Sequence, residues 1–131
     1  MLKRRCFNIG TNFQCQMCNI GVEETLEHLF FHCPFSRSCW DRLGMTMPVA
    51  TREDRFFFIT QARASWTKPL FMESFSIAAW NIWKERNNFI FENQATSFGR
   101  WKIPFKKDIR LTLHRVKVKH RGPLSLWLDS L

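Results

Sequence analysis

The sequence predicts a mainly α-helical protein, in which a small zinc-stabilised N-terminal module precedes a helical bundle with a basic C-terminal helix. Three observations support this fold class. Apolar residues recur at helical spacing, cysteines and histidines cluster near the N-terminus, and positive charge is concentrated near the C-terminus. We therefore divide the 131 residues into a zinc-binding module at 1–50, a helical part of the same domain at 51–95, and a basic segment at 96–131.

The composition argues against disordered, membrane-spanning and secreted classes of protein. Apolar residues make up 45% of the chain and charged residues 24%, which is enough to form a packed core. No apolar run reaches the roughly 18 residues of a membrane span, and no signal-peptide core follows the basic N-terminus. We expect an intracellular protein, nuclear or cytoplasmic, whose five cysteines favour metal binding over disulfides.

Four potential zinc ligands follow the spacing C-x2-C-x9-H-x4-C: Cys15, Cys18, His28 and Cys33. Two cysteines separated by two residues form a turn that can point both sulfurs at one metal, and this set of donors suits tetrahedral zinc. Four protein donors fill the tetrahedral coordination shell and leave no position for a water ligand. We therefore expect a structural zinc site and not a hydrolytic one.

Three neighbouring residues have other expected roles. His32 adjoins Cys33 and competes with His28 for the third ligand position, but the H-x4-C spacing, which also occurs in zinc knuckles, favours His28. Cys6 and Cys39 fall outside the pattern, and we expect them to be ordinary small apolar side chains.

Two helices are predicted after the metal-binding pattern. Pro34 begins the first, which runs to Leu43 and ends at Gly44, because proline suits the first turn of a helix and glycine the position after its end. Thr51 caps the second helix, and acidic residues follow in its first turn. Its apolar positions recur at three-residue steps: Phe56, Ile59 and Ala62.

The longest helix is predicted over residues 69–93, with Pro69 in its first turn. Its apolar positions recur at three- and four-residue steps: Phe71, Phe75, Ala78, Ala79, Ile82, Trp83, Ile90 and Phe91. A last, basic helix is predicted over residues 104–120, and Gly122-Pro123 is expected to end it. The alternation of Val116-Lys117-Val118-Lys119 also allows a strand.

Most of the net charge of +9 lies in the last third of the chain. Residues 96–131 carry nine basic and two acidic side chains, whereas 1–50 and 51–95 have a net charge of +1 each. A basic face backed by apolar residues can contact a phosphate backbone without reading its sequence. We expect RNA or DNA as the partner, in preference to a merely hydrated face and, least of all, a membrane surface. The candidate phosphate contacts are Arg100, Lys102, Lys106, Lys107, Arg110, Arg115, Lys117, Lys119 and Arg121.

The tryptophans have two candidate roles, which are core packing and stacking on unpaired bases. At helical spacing the core is the commoner role, and we expect it for Trp80 and Trp83. Trp101 lies between two basic residues, and for it both roles remain open. Arg86 can contact phosphate or pair with an acid at a helix contact.

Two strings of residues resemble a known family. Cys15-x-x-Cys18, Glu24-Thr25-x-x-His28-Leu29-Phe30 and Cys33-Pro34-Phe35-Ser36, followed by Trp40, resemble the zinc-binding domain at the end of plant LINE-type retrotransposon reverse transcriptases. Trp80-Asn81-Ile82-Trp83-Lys84-Glu85-Arg86-Asn87 is similar to the helix that commonly follows it. The resemblance spans residues 15–91 and implies zinc on Cys15, Cys18, His28 and Cys33. It also implies a C-terminal fragment from which the polymerase is absent.

We expect no enzymatic activity. Polymerase chemistry needs clustered acids that hold two magnesium ions, but the four aspartates are dispersed, and the tyrosine that the resembled polymerases carry beside an acid pair is lacking here. The sequence therefore predicts a non-catalytic zinc-binding domain that contacts nucleic acid. The alternative is a structural or protein-interaction module of a truncated retroelement protein, whose partner would be a missing polymerase region or another protein.

Overall fold

The computed structural model describes residue 15 and residues 24–45 and 55–131. Helices occupy most of this part of the chain, and no strand occurs in it, which confirms the mainly α-helical prediction. The elements in order are a π-helical turn (His28–His32), α1 (Pro34–Leu43), α2 (Arg55–Ser65), α3 (Phe71–Glu92), α4 (Phe98–Thr112), a 3-10 turn (Leu113–Arg115) and α5 (Val118–Ser130). None of the described helices is both long enough and apolar enough to cross a membrane.

Helix α1 has the predicted bounds. Pro34 is its first residue, and Gly44 follows its end with a left-handed φ of 83°, a conformation that glycine adopts without a steric penalty. The predicted cap of the second helix, Thr51, lies outside the described residues. Within α2 the buried side chains are Phe58 and Ala62, which lie one turn apart.

The predicted apolar face of the second helix is therefore only partly right. Ala62 is buried as expected, but Phe56 is 74% exposed and Ile59 is half-buried. Phe58 takes the central position because its ring stacks on Phe31 with the ring centroids 4.9 Å apart. A contact with a residue distant in the chain thus decides which of the neighbouring phenylalanines enters the core.

Helix α3 begins two residues later than predicted. Leu70 adopts a left-handed φ of 65°, which interrupts the helical backbone after Pro69, and Phe71 is the first helical residue. At the other end Asn93 has a φ of 54°, which asparagine tolerates better than most residues, and the helix ends at Glu92.

The prediction of a single basic helix over 104–120 is wrong, because this part of the chain forms two helices. Helix α4 begins at Phe98, where the Ser97 hydroxyl accepts a hydrogen bond from the Arg100 N–H at 3.1 Å. Pro104 lies inside α4, at a position where proline removes a backbone hydrogen bond. Burial of an apolar stripe at four-residue steps offsets that loss: Trp101, Phe105 and Ile109.

The second of these helices, α5, continues through Gly122-Pro123, which we expected to end a helix. Its buried residues, Leu124 and Leu128, lie on the far side of the proline and anchor it to the rest of the protein. The Arg121 guanidinium holds the start of α5 by donating to the carbonyls of His114 and Val116. Val116 is extended, but no strand forms there.

Contacts between aromatic rings run through the core. Trp40 stacks on Phe75 at 5.0 Å, Trp101 on Phe105 at 4.7 Å, and Trp127 meets Trp66 edge to face. Trp101 is fully buried, and its Nε1–H donates to the Ala78 carbonyl of α3, so the open question of its role is settled in favour of the core.

Trp80 departs from the expected core role. Its side chain is 56% exposed, because the buried face of α3 passes through neighbouring positions such as Ala78 and Ile82. Trp83 is half-buried, with the Arg86 guanidinium over its ring.

Candidate metal centre

A π-helical turn brings His28 and Cys33 to the same side of the chain. The Cys33 N–H donates to the His28 carbonyl at 2.7 Å, a hydrogen bond that spans five residues. In a regular α-helix residues five apart are separated by about 140° around the axis, so the wider turn is what allows both side chains to face one point. The Thr25 hydroxyl supports the start of the turn by accepting the His28 N–H at 3.0 Å.

Side chains of α1 fix the other end of this turn. Three successive carbonyls, those of Leu29, Phe30 and Phe31, need partners where the turn ends. Each accepts a side-chain hydrogen bond from α1. The Ser36 hydroxyl donates to the Leu29 carbonyl, the Trp40 indole N–H to that of Phe30, and the Arg37 guanidinium to that of Phe31. Helix α1 is thus attached directly to the segment that carries two of the predicted ligands.

Three of the four predicted metal ligands converge. The donor atoms of Cys15, His28 and Cys33 lie within 4.8 Å of one another, and all three residues are buried. The Cys15 and Cys33 sulfurs are 4.0 Å apart. Thiolates placed about 2.3 Å from a common tetrahedral centre are separated by about 3.8 Å, so this spacing fits a metal ion. Cys18, the fourth predicted ligand, lies outside the described residues.

The other candidate residues lie apart from this group. The His32 ring stands edge-on against Phe58, at 5.1 Å, and is not among the converging donors. Cys39 is buried in the core, where burial raises the pKa of its thiol and keeps it protonated. Cys6 is in the part of the chain that the structure does not describe.

A buried ion pair connects the candidate metal centre to α3. The Arg86 guanidinium donates two hydrogen bonds to the Glu24 carboxylate, at 2.7 Å and 3.2 Å, and neither side chain is exposed to solvent. Burial raises the pKa of the Glu24 carboxyl to about 7, against the opposing effect of Arg86. Charge at Cys15 raises the same pKa and charge at His28 lowers it, so this pair lies within electrostatic reach of the candidate ligands.

The sequence analysis did not predict the pairing of Glu24, and it left Arg86 with two possible roles. The two residues are 62 positions apart, and no local pattern links them. One signal was available, however. Arg86 continues the four-residue spacing of Ala78 and Ile82, so a cation there falls on the buried face of α3 and requires a partner.

The nine predicted phosphate contacts lie on α4, α5 and the connection between them, and all are exposed except Lys102 and Lys106, which are half-buried. Four are engaged within the molecule. Arg100 contacts Glu85 and Gln94, Lys102 donates to the Leu131 carbonyl, Arg110 pairs with Asp129, and Arg121 donates to the two carbonyls that hold α5. The remaining five have no polar partner among the described residues: Lys106, Lys107, Arg115, Lys117 and Lys119.

Residues 1–40 match the family described as zinc-binding in reverse transcriptase. The matched range contains the whole Cys–His pattern and ends at Trp40 in α1. The match suggests a reverse transcriptase-associated zinc-binding domain at this end of the chain, and the converging donors show a group there that could hold a metal ion. No curated protein matches the chain, and no solved structure matches it.

The hydrogen bond from Trp40 to the metal-binding turn gives a first testable prediction. Trp40→Phe keeps an aromatic ring against Phe75 but leaves the Phe30 carbonyl without its donor. In a denaturant titration we expect the unpaired carbonyl to lower the free energy of unfolding by about 1–3 kcal/mol. The smaller apolar contact of phenylalanine lowers it further. Trp127→Phe is the control, because no described group accepts a hydrogen bond from Trp127. Equal losses for the two variants would contradict the role of Trp40.

The ion pair gives a second prediction, tested in buffer more alkaline than the pKa of Glu24. Arg86→Leu leaves a buried carboxylate unpaired and should lower the free energy of unfolding by about 3–5 kcal/mol, and Glu24→Gln in the same chain should restore part of it. Arg110→Leu breaks an exposed pair with Asp129 and should cost less than about 1 kcal/mol. Similar losses for the two arginines would refute the importance of the buried pair.

Proposed function

We propose that the chain is a non-catalytic domain in which a structural zinc ion organises the N-terminal region and basic helices bind nucleic acid. The convergence of Cys15, His28 and Cys33 is the observation on which this proposal rests most heavily. The motif strings further support an origin in a LINE-type retrotransposon of plants.

Zinc is the metal that this donor set fits best. Two sulfurs and an imidazole are soft or borderline ligands, which bind zinc much better than magnesium or calcium. Cys18 is the proposed fourth ligand, and four protein donors would give the closed shell of a structural site. When bound, zinc would supply folding free energy, on the order of 10 kcal/mol in small modules.

The chain's own residues prepare the site for a cation. Binding requires deprotonated cysteines, and thiolates crowded together without a metal repel each other. The Cys15 and Cys33 sulfurs are only 4.0 Å apart and buried. A divalent cation relieves this repulsion, and the π-helical turn and α1 hold the donors in place.

Helix α4 supports the proposed contact with phosphates. Its buried stripe is formed by Trp101, Phe105 and Ile109, and its basic residues lie outside that stripe at the 100° steps of a helix. The next basic residues follow on the connection to α5 and in its first turns. Five of the nine have no polar partner among the described residues, so their charges are available to a phosphate backbone.

The non-catalytic part of the proposal is supported by the positions of the aspartates. Asp108 accepts a hydrogen bond from Asn81, and Asp129 pairs with Arg110 in another helix. These two carboxylates therefore have structural partners, and the described residues contain no cluster of carboxylates like the two-metal site of a polymerase.

A protein-interaction module is the second candidate, and one observation favours it. Phe56 at the start of α2 is 74% exposed, and Leu111 and Leu126 on α4 and α5 are also exposed. Large apolar side chains at a surface are typical of contacts with another protein. Size-exclusion chromatography tests this candidate if the wild-type protein self-associates. An elution volume that is the same for Phe56→Ser and for the wild-type protein would argue against Phe56 as a contact.

Zinc content tests the metal assignment. Cys33→Ser and Cys18→Ser should each reduce bound zinc severalfold in purified protein, because each removes one of four donors. Cys39→Ser is the matched control, since Cys39 is buried but outside the converging group, and it should retain zinc. His28→Gln should lose zinc, whereas His32→Gln should keep it. Undiminished zinc in Cys33→Ser would overturn the assignment.

Salt dependence tests the phosphate contacts. Each phosphate that a basic side chain neutralises contributes about 0.7 to the slope of log affinity against log salt for single strands. We therefore expect Lys107→Gln with Lys117→Gln to weaken binding of a single-stranded oligonucleotide and to reduce the slope by about 1.4. Arg42→Gln with Arg63→Gln is the control, because both arginines are exposed but lie on α1 and α2. An affinity that is independent of salt would refute nucleic-acid binding through phosphates.

A further inference from the structure

A polar pocket lies beside the exposed Trp80, where α3 faces α4. Its volume is about 420 Å³, within the range of pockets that bind small molecules. It is lined by Asn81, Lys84, Glu85, Asn87, Asn88 and Pro104. None of these side chains is a candidate metal ligand or one of the nine proposed phosphate contacts, although the Glu85 carboxylate lies 3.8 Å from Arg100.

The wall of this pocket contains a buried acceptor that lacks a donor. Asn81 is 1% exposed, and its Nδ2 donates to the Ile77 carbonyl at 2.9 Å and to Asp108 at 3.2 Å. Its Oδ1 is buried and has no hydrogen-bond partner among the described residues. An acceptor in this state is unfavourable unless a ligand or a water molecule completes it.

Glu85 adds a second acceptor to the same wall, one turn farther along α3. It is buried, and the partners of its carboxylate in the described part of the chain are distant, with Asn88 Nδ2 at 3.5 Å and Arg100 Nε at 3.8 Å. A ligand group that fits both acceptors must therefore donate hydrogen bonds.

Lys84 connects the pocket to the exposed ring of Trp80. The Lys84 side chain lines the pocket, and its Nζ lies 5.9 Å from the centroid of the Trp80 ring. An exposed indole beside a cation is a surface on which an unpaired base can stack, with its phosphate close to the positive charge.

We propose that this pocket binds the amino-bearing edge of an unpaired cytosine or adenine base. The inference rests on the proposed binding of nucleic acid and names the bases that this surface prefers. The exocyclic amino group donates to Asn81 Oδ1 and the Glu85 carboxylate, while Trp80 stacks on a neighbouring base. Uracil presents a carbonyl oxygen at the position of the cytosine amino group, and the Glu85 carboxylate repels it.

The test compares oligocytidylate with oligouridylate of equal length by fluorescence anisotropy. The two strands carry the same phosphates and differ in the base, which has an amino group at the 4-position and an acceptor at N3 in cytosine, but a carbonyl and an N–H at these positions in uracil. We expect the wild-type protein to bind oligocytidylate about tenfold more tightly at one salt concentration, the discrimination typical of one well-placed base contact.

Asn81→Leu should abolish this preference, because it removes the acceptor with little change of volume. Ser74→Ala is the matched control: the Ser74 hydroxyl is the other buried side-chain group on α3 without a hydrogen-bond partner, and it does not line the pocket. It should keep the preference. Trp80→Leu should weaken binding of both strands by a similar factor.

Each outcome separates this inference from the proposed function. Equal binding of both strands with normal salt dependence would refute the pocket alone, and so would a preference that survives in Asn81→Leu. Failure to bind either strand would refute both proposals. If Asn81→Leu does not fold, the wild-type protein is titrated with cytidine and with uridine instead. Cytidine should shift the NMR signals of the Asn81 side-chain amide, and uridine should not. Equal shifts would overturn the inference.

Discussion

The candidate metal centre depends on the π-helical hydrogen bond between the Cys33 N–H and the His28 carbonyl. Regular α-helical bonding would turn the two side chains away from each other, and the converging group with Cys15 could not form. π-helical turns are rare and occur frequently at functional sites. Here the turn persists because side chains of α1 satisfy the three carbonyls at its end, so metal binding and the packing of α1 are parts of one structure.

The buried pair of Glu24 and Arg86 extends this dependence to the rest of the protein. Both charged groups are buried, and their mutual attraction offsets the free-energy cost of removing them from water only while the pair remains intact. Arg86 belongs to α3, which packs against α4 and supports the basic surface. Loss of the metal would therefore affect more than the N-terminal region, because the segment that carries Glu24 also carries His28. A metal ion bound at this site would therefore act together with the aromatic core in fixing how these helices meet.

The sequence allowed prediction of those features that local signals control. Pro34 and Gly44 mark the ends of α1, and the predicted ligand spacing includes the three residues whose donor atoms converge at the candidate metal centre. Features decided by distant contacts were not predictable in the same way. Pro104 and Gly122-Pro123 are helix-ending signals, yet burial of Phe105 and Leu128 on the adjoining turns outweighed them. The exposed position of Trp80 likewise follows from the face of α3 that α4 covers.

The most direct test of the central claim is X-ray absorption spectroscopy at the zinc edge of the purified protein. The account predicts one zinc ion per chain, with three sulfur ligands at about 2.3 Å and one nitrogen ligand at about 2.0 Å. Protein that contains no zinc after purification and reconstitution under reducing conditions would contradict it. So would a zinc ion surrounded only by oxygen and nitrogen, because Cys15 and Cys33 would then have no part in its coordination.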